Sequence, residues 1–334
     1  NDPTATEGAE FYRQAGYTKW PGAGAAWDQW DKIWQGFVDH CGSNMDFYSV
    51  HIYDWPQRGI GNSTARMRTG GQTEGILDIL EWYDVHKFGV ENRKPIVLSE
   101  YGSVAGYIDL KKDGLYVDWE CIRPFSSMFM QFLERPDYIV KSMPFTPVKA
   151  EWGNYYNADG SLLARYPYSM LDENPHGSGN WEWSGYITWF ELWADVEGTR
   201  VETKASDLDI LVDAYVNGDH AFLILNNLET TNATINIHEY GLGTGVESVR
   251  IKHLYCENYE PYSGTGGYPV LDDYTLQTAP GAVMLAPEAT MIIRYDFSSP
   301  FTPGATLVES KVYGEKLGTG LNPRGGEMIR HEGA

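Results

Sequence analysis

At Gly198 the hydrophobic period of the sequence changes, and a chain that changes period changes architecture. From residue 20 to 197 the apolar residues alternate between helical spacing and short extended runs, in the order helix, strand, helix, strand, helix, strand, helix. Strands separated by helices pair in parallel, because only a long crossover returns the chain to the same end of a sheet. Three such units are too few to close an eight-stranded barrel. The expectation is therefore either a small open sheet or the later part of a larger barrel. Beyond Gly198 the period falls to two, with runs at Leu208–Val216, Ala221–Asn226, Thr234–His238, Val249–Tyr255 and Thr290–Phe297 between Asn-Gly, Gly-rich and Pro-containing turns. That pattern predicts an antiparallel β-sandwich. The 334 residues divide accordingly into 1–198, 199–299 and 300–334, the last a Gly-rich and charged stretch that reads as the start of a further β unit or as a linker.

Within the first part, Trp27, Trp30, Trp34, Phe37 and Val38 share one helical face, and His40-Cys41-Gly42 supplies a stop. Met45 to Pro56 reads as a strand whose alternation puts Ser49, His51 and Tyr53 on one face and Tyr48, Val50 and Ile52 on the other. Ile76, Ile79, Leu80 and Tyr83 mark the next helix. Pro95-Ile96-Val97-Leu98-Ser99-Glu100-Tyr101-Gly102 follows as a strand expected to be buried on both faces, with a carboxylate at its C-terminal end. Ile122, Phe125, Phe129, Phe132 and Leu133 predict a helix with Pro124 at its start or at a kink. Ile139–Phe145 is the third strand, running on to Lys149-Ala150-Glu151-Trp152. A long polar and aromatic loop then leads to a helix with Tyr186, Trp189, Phe190 and Trp193 on its apolar side.

Glu100 is the residue to explain. A carboxylate at the C-terminal tip of a parallel strand is where barrels and open α/β enzymes keep their chemistry. The ordinary alternative is a loop cap or a partner for a nearby Arg. Composition narrows the class: 25 Lys and Arg against 46 Asp and Glu give a net charge of −21, which repels nucleic acid and anionic membranes. No run is long and apolar enough for a membrane span, and the first residues are not a signal peptide. Twelve Trp and 23 Tyr supply flat amphipathic rings that suit either sugar faces or protein cores. Cys41, Cys121 and Cys256 show neither disulfide nor zinc spacing and read as buried small hydrophobes. There is no zinc-protease or phosphate-loop motif, and Gly241 to Gly245 is a lone glycine cluster, so no cofactor is expected. A structural calcium stays open.

Three segments together resemble one family. Asp46-Phe47-Tyr48-Ser49-Val50-His51-Ile52-Tyr53-Asp54-Trp55, Ser99-Glu100-Tyr101-Gly102 and Lys149-Ala150-Glu151-Trp152-Gly153 are similar to the sixth, seventh and eighth strand ends of glycoside hydrolase family 86, the β-agarases and β-porphyranases. The resemblance covers roughly residues 20 to 300 and implies the C-terminal part of a TIM barrel followed by a β-sandwich. It implies Glu100 as the nucleophile of a retaining endo-hydrolase of red-algal galactans. It gives His51 and Tyr53 the support of that nucleophile, and Trp152 the aromatic floor of the sugar site. Trp55, Arg58, Tyr101, Lys149 and Glu151 are the further substrate-binding candidates, with an agar-type polysaccharide as the partner. Taken singly, His51 reads better as a core histidine and Trp152 as a lid on the sheet. At three successive strand ends they favour a site.

The family keeps its acid/base Glu on the fourth strand, usually after Asn. No Asn-Glu pair follows a strand before residue 45, and Glu7 and Glu10 follow no apolar run. The expectation is a partial chain whose acid/base lies upstream. The acidic balance suits a secreted, cell-surface or periplasmic enzyme, and many other proteins besides. Two alternatives stand: another retaining glycosidase of the same clan in which Glu100 keeps its role, and a non-catalytic polysaccharide-binding protein that holds its ligand by the aromatic loop Tyr255–Tyr268. Arg58, Arg66 and Arg68 are candidate partners for a sulfate, the feature that separates porphyran from agarose.

Overall fold

The computed structural model describes residues 34–54, 70–103, 114–239, 245–260, 267–300, 313, 316–318 and 328–330. Trp55, Arg58, Arg66 and Arg68 lie outside these residues. The first part runs α1 (Trp34–Cys41), β1 (Tyr48–Asp54), α2 (Gly70–Phe88), β2 (Ile96–Ser103), α3 (Gly114–Leu133) and β3 (Ile139–Pro144). β1, β2 and β3 pair in parallel in that order. On β1 the alternation is as the sequence implies: Tyr48, Val50 and Ile52 are buried, while Ser49, His51 and Tyr53 face away from the core.

β2 departs from expectation. Ile96, Leu98 and Tyr101 have no exposure, but Val97, Ser99 and Glu100 are only half-buried, so this strand has one covered face. The covering layer is α3, which begins at Gly114, well before the predicted start at Ile122, and carries Pro124 inside it. Every residue of α3 from Val117 to Met128 is buried. A helix buried all round needs a layer on each side, and α3 has β2 on one side and the strands β9 (Ile210–Asn217) and β13 (Pro269–Leu276) on the other. Two of the polar side chains this burial strands are paired with groups from the later part of the chain. Asp118 accepts from Arg165 at 2.8 Å and from the Gly185 N–H at 2.7 Å, and Ser126 Oγ accepts the indole N–H of both Trp189 and Trp193 at 3.1 Å.

The loop after β3 has structure of its own. It holds two small hairpins, β4 (Tyr155–Tyr156) with β5 (Leu162–Ala164) and β6 (Leu171–Glu173) with β7 (Trp181–Trp183), before α4 (Ile187–Trp193). Next come β8 (Thr199–Val201), β9, β10 (His220–Asn227), β11 (Ala233–Asn236), β12 (Val246–Cys256), β13, β14 (Ala282–Leu285) and β15 (Thr290–Phe297). Six of them form an antiparallel sheet in the order β13-β12-β15-β10-β9-β8, and β11 pairs with β14. The sequence reading missed β8 and β14, which are short, and β13, whose residues Asp272 to Thr275 face solvent and break the apolar alternation. The doubly covered strands are here rather than at β2. On β10, Phe222 and Ile224 join the core around α3 and α4, while Ala221 and Leu225 join a second core with Leu285 of β14. The three cysteines are buried, as expected of small hydrophobes. Near the end of the chain β16 (Lys316–Gly318) pairs with β17 (Met328–Arg330), and the Tyr313 hydroxyl donates to Glu81 at 2.8 Å.

Candidate active site

Strict alternation along β2 would point Glu100 the same way as Ile96 and Leu98, into the core. A β-bulge prevents this. Val50 of β1 pairs with Leu98, but the next residue, His51, pairs with Glu100, so Ser99 is left over. The extra residue reverses the parity of the strand. Ser99 and Glu100 therefore both face away from α3, and Tyr101 takes the buried side. Ser99 Oγ and Ser49 Oγ are 2.7 Å apart beside the bulge.

Tyr101 is accordingly corrected as a substrate-binding candidate. Its ring is fully buried between Phe125 and Phe132 of α3, at centroid distances of 5.6 and 5.0 Å, on the face opposite Glu100. Its carbonyl accepts the Phe145 N–H at 2.9 Å, which extends the β2–β3 pairing one step past the strand end. Gly102 follows at φ +152°, where a Cβ would stand 2.9 Å from the Phe125 ring.

On the open face the carboxylate has one hydrogen-bond donor and one close imidazole. Tyr53 Oη donates to Glu100 Oε2 at 2.7 Å, and His51 Nδ1 lies 3.0 Å from the same oxygen. Among the described residues Oε1 takes no hydrogen bond. Glu100 is 32% and His51 43% exposed in their side chains, so the carboxylate is held yet reachable. Burial, followed by the bond to Glu100, pushes the Tyr53 hydroxyl well above its usual range and keeps it a donor.

The remaining candidates come from the exit of β3. Trp152, in a short 3-10 turn with half-buried Glu151, is 74% exposed. Lys149 Nζ stands 3.7 Å above the Trp181 ring, a cation–π contact that fixes the β6–β7 hairpin against the strand exit. The chain then folds back: Thr146 Oγ1 donates to the Tyr168 carbonyl at 3.0 Å, and the Met170 and Leu171 N–H groups donate to Pro147 and Val148. That return places Tyr168 5.4 Å from Phe145, which lies 6.2 Å from Tyr53. Sequence reasoning missed Phe145, Tyr166 and Tyr168. The only signal for the two tyrosines was their spacing of two before a predicted helix. Among the described residues no cluster of His, Cys, Asp and Glu could hold a metal ion.

Comparison with known proteins decides the family. Residues 209–318 match the model of the porphyranase beta-sandwich domain 1. The chain is 41% identical over 333 residues to beta-agarase AgaO of Microbulbifer thermotolerans, covering 97% of this chain and 28% of that protein. A structure of BuGH86 in complex with neoagarooctaose superposes with a TM-score of 0.72 at 33% identity, over 83% of this chain and 42% of that one. A beta-porphyranase of glycoside hydrolase family 86 from the gut bacterium Bacteroides plebeius gives 0.67 at 27% identity, over 82% and 45%. The chain belongs to glycoside hydrolase family 86.

This family-86 chain spans less than half the length of each of these relatives. The match to the porphyranase sandwich falls on β9 to β16, and the β1–β2–β3 sheet with Glu100 precedes it. In the family-86 chain the three segments that carry the resemblance are the tips of adjacent parallel strands or their immediate continuation. No helix among the described residues is long and apolar enough to cross a membrane.

Proposed function

We propose that the chain is the later part of a TIM-barrel glycoside hydrolase and carries the nucleophile of a retaining endo-acting cleavage of β-1,4 bonds in an agar-type galactan, agarose or porphyran. The observation that carries this reading is the part-exposed Glu100 carboxylate, with Tyr53 donating to Oε2, His51 beside the same oxygen and Oε1 without a hydrogen bond among the described residues. A retaining hydrolase needs one ionised carboxylate to attack the anomeric carbon and one protonated carboxyl about 5–5.5 Å away to release the leaving oxygen. Tyr53 and His51 suit the first role: a hydroxyl donor with an imidazole beside it favours the charged carboxylate and fixes the direction of its other oxygen. The proton donor belongs, by the family resemblance, on a barrel strand preceding β1. Trp152 offers the exposed ring on which a pyranose face stacks, Glu151 and Lys149 lie beside it, and Trp55 and Arg58 are further contacts. The β1–β2–β3 sheet is then three adjacent barrel strands, followed by a sandwich over residues 199–299. The substrate places the enzyme outside the cell.

The test is Glu100→Gln, assayed by reducing-sugar release from agarose and porphyran in a form that turns these polymers over. Turnover is expected to vanish while the unfolding free energy from urea titration stays within about 1 kcal/mol of the parent or rises, because functional carboxylates are often held at a cost in stability. Retained turnover would remove Glu100 from the mechanism.

A further inference from the structure

We propose that Tyr166 is a second sugar-contacting residue, continuing the Trp152 surface inward toward Glu100; this rests on the polysaccharide reading above. The two rings have centroids 5.0 Å apart and planes tilted by 44°, so together they make one bent surface and not a closed stack. Neither Trp152 nor Tyr166 belongs to the two core clusters of the described residues, whereas Tyr168 packs on the larger one. Core filling therefore does not account for the outer pair.

The position of Tyr166 is built. Its N–H donates to Asn154 Oδ1 at 2.8 Å, which closes the β4–β5 hairpin and brings the chain back over its own start. Its ring lies on the Gly153 backbone, where a Cβ would come within 2.3 Å of Cδ2. Gly153 is thus the space that the ring occupies. Inward, Tyr166 touches Tyr168 at 5.2 Å, Tyr168 touches Phe145, and Phe145 touches Tyr53, the donor to Glu100. Burial first, and then neighbouring groups that include Tyr155 and Glu100, push the ionisation of the Tyr166 hydroxyl up. An aromatic ladder runs from the exposed indole to the carboxylate. A pyranose presents an apolar C–H face to such rings, and rigid rings bind at small entropy cost because few torsions are frozen.

The test measures affinity without turnover. Neoagarooctaose is titrated calorimetrically onto the Glu100→Gln protein and onto the same protein carrying Tyr166→Ala, Tyr166→Phe or Gly153→Ala. Losing the ring face is expected to weaken binding about tenfold in Tyr166→Ala. Gly153→Ala is expected to do the same by displacing the ring, with Tyr166→Phe within about twofold of the parent. Unchanged affinity in Tyr166→Ala overturns the inference and leaves the polysaccharide reading intact, and so does an equal loss in Tyr166→Phe, which keeps the ring. No binding of neoagarooctaose or of porphyran oligosaccharides by the Glu100→Gln protein overturns the reading and the inference together.

Discussion

Tyr53 shows how much one hydroxyl can decide. Its bond to Glu100 is made to a charged group in a half-buried site, where removal of a donor costs about 1.5–3 kcal/mol. If that bond is stronger in the reacting state than in the resting one, Tyr53→Phe lowers kcat by about 10- to 100-fold. Its KM for agarose oligosaccharides should be little changed, and steady-state kinetics reads both. Because burial and Glu100 raise the Tyr53 ionisation above its ordinary value near 10, the parent rate should not fall through loss of this proton below about pH 10. An alkaline decline that disappears in Tyr53→Phe would contradict the assignment. His51 is the weaker support, farther at 3.0 Å and more exposed, and taken singly in the sequence it reads as a core histidine.

β2 is decided by an insertion of one residue. The apolar run Ile96-Val97-Leu98 identified a strand, and the polar tip after it was legible as a place for chemistry. The direction of Glu100 was not, because side-chain direction along a strand depends on register, and register is a property of the pair. The bulge at Ser99 exists only where β1 meets β2, which is also why Tyr101 was misread as facing substrate. The tip is held by the close approach of α3 at Gly102, whose backbone lies where side chains are strained and whose Cβ position is already filled by Phe125. Gly102→Ala should cost about 1–3 kcal/mol in urea unfolding, and should lower turnover more than the loss of folded fraction explains, since Glu100 lies two residues away.

At the scale of the whole molecule, α3 joins the parallel sheet to the sandwich. Arg123, on its buried face, pairs with Glu120 of the same helix at 3.0 Å and with Glu288, next to β15, at 2.5 Å. Glu288 also accepts from Tyr259, whose ring meets Trp119 of α3 at 5.8 Å. The aromatic loop after β12 is therefore in part an internal brace. Lys252 of β12 adds a second tie by donating to Asp195 and to the Glu191 carbonyl, both at 2.6 Å. Arg123→Ala leaves two buried carboxylates without their counter-ion and should destabilise by about 3–5 kcal/mol. Because one core crosses the junction, calorimetry should show one transition that moves as a whole. Two transitions, with only one shifted, would mean that the sheet and the sandwich unfold independently.

The sequence by itself determined the types of the elements from α1 to β3, the change of hydrophobic period after Gly198, the faces of β1 and the identity of Glu100 as the residue to explain. Each of these follows from period and composition, which are local. The tertiary structure decided what depends on pairing and packing: the reversal of parity at Ser99, the burial of Tyr101, the full length of α3 between two layers, and the return of the 154–168 segment that sets Tyr166 beside Trp152. Residues distant along the chain share a site only once register and packing are fixed, and neither is written in the period of a single segment.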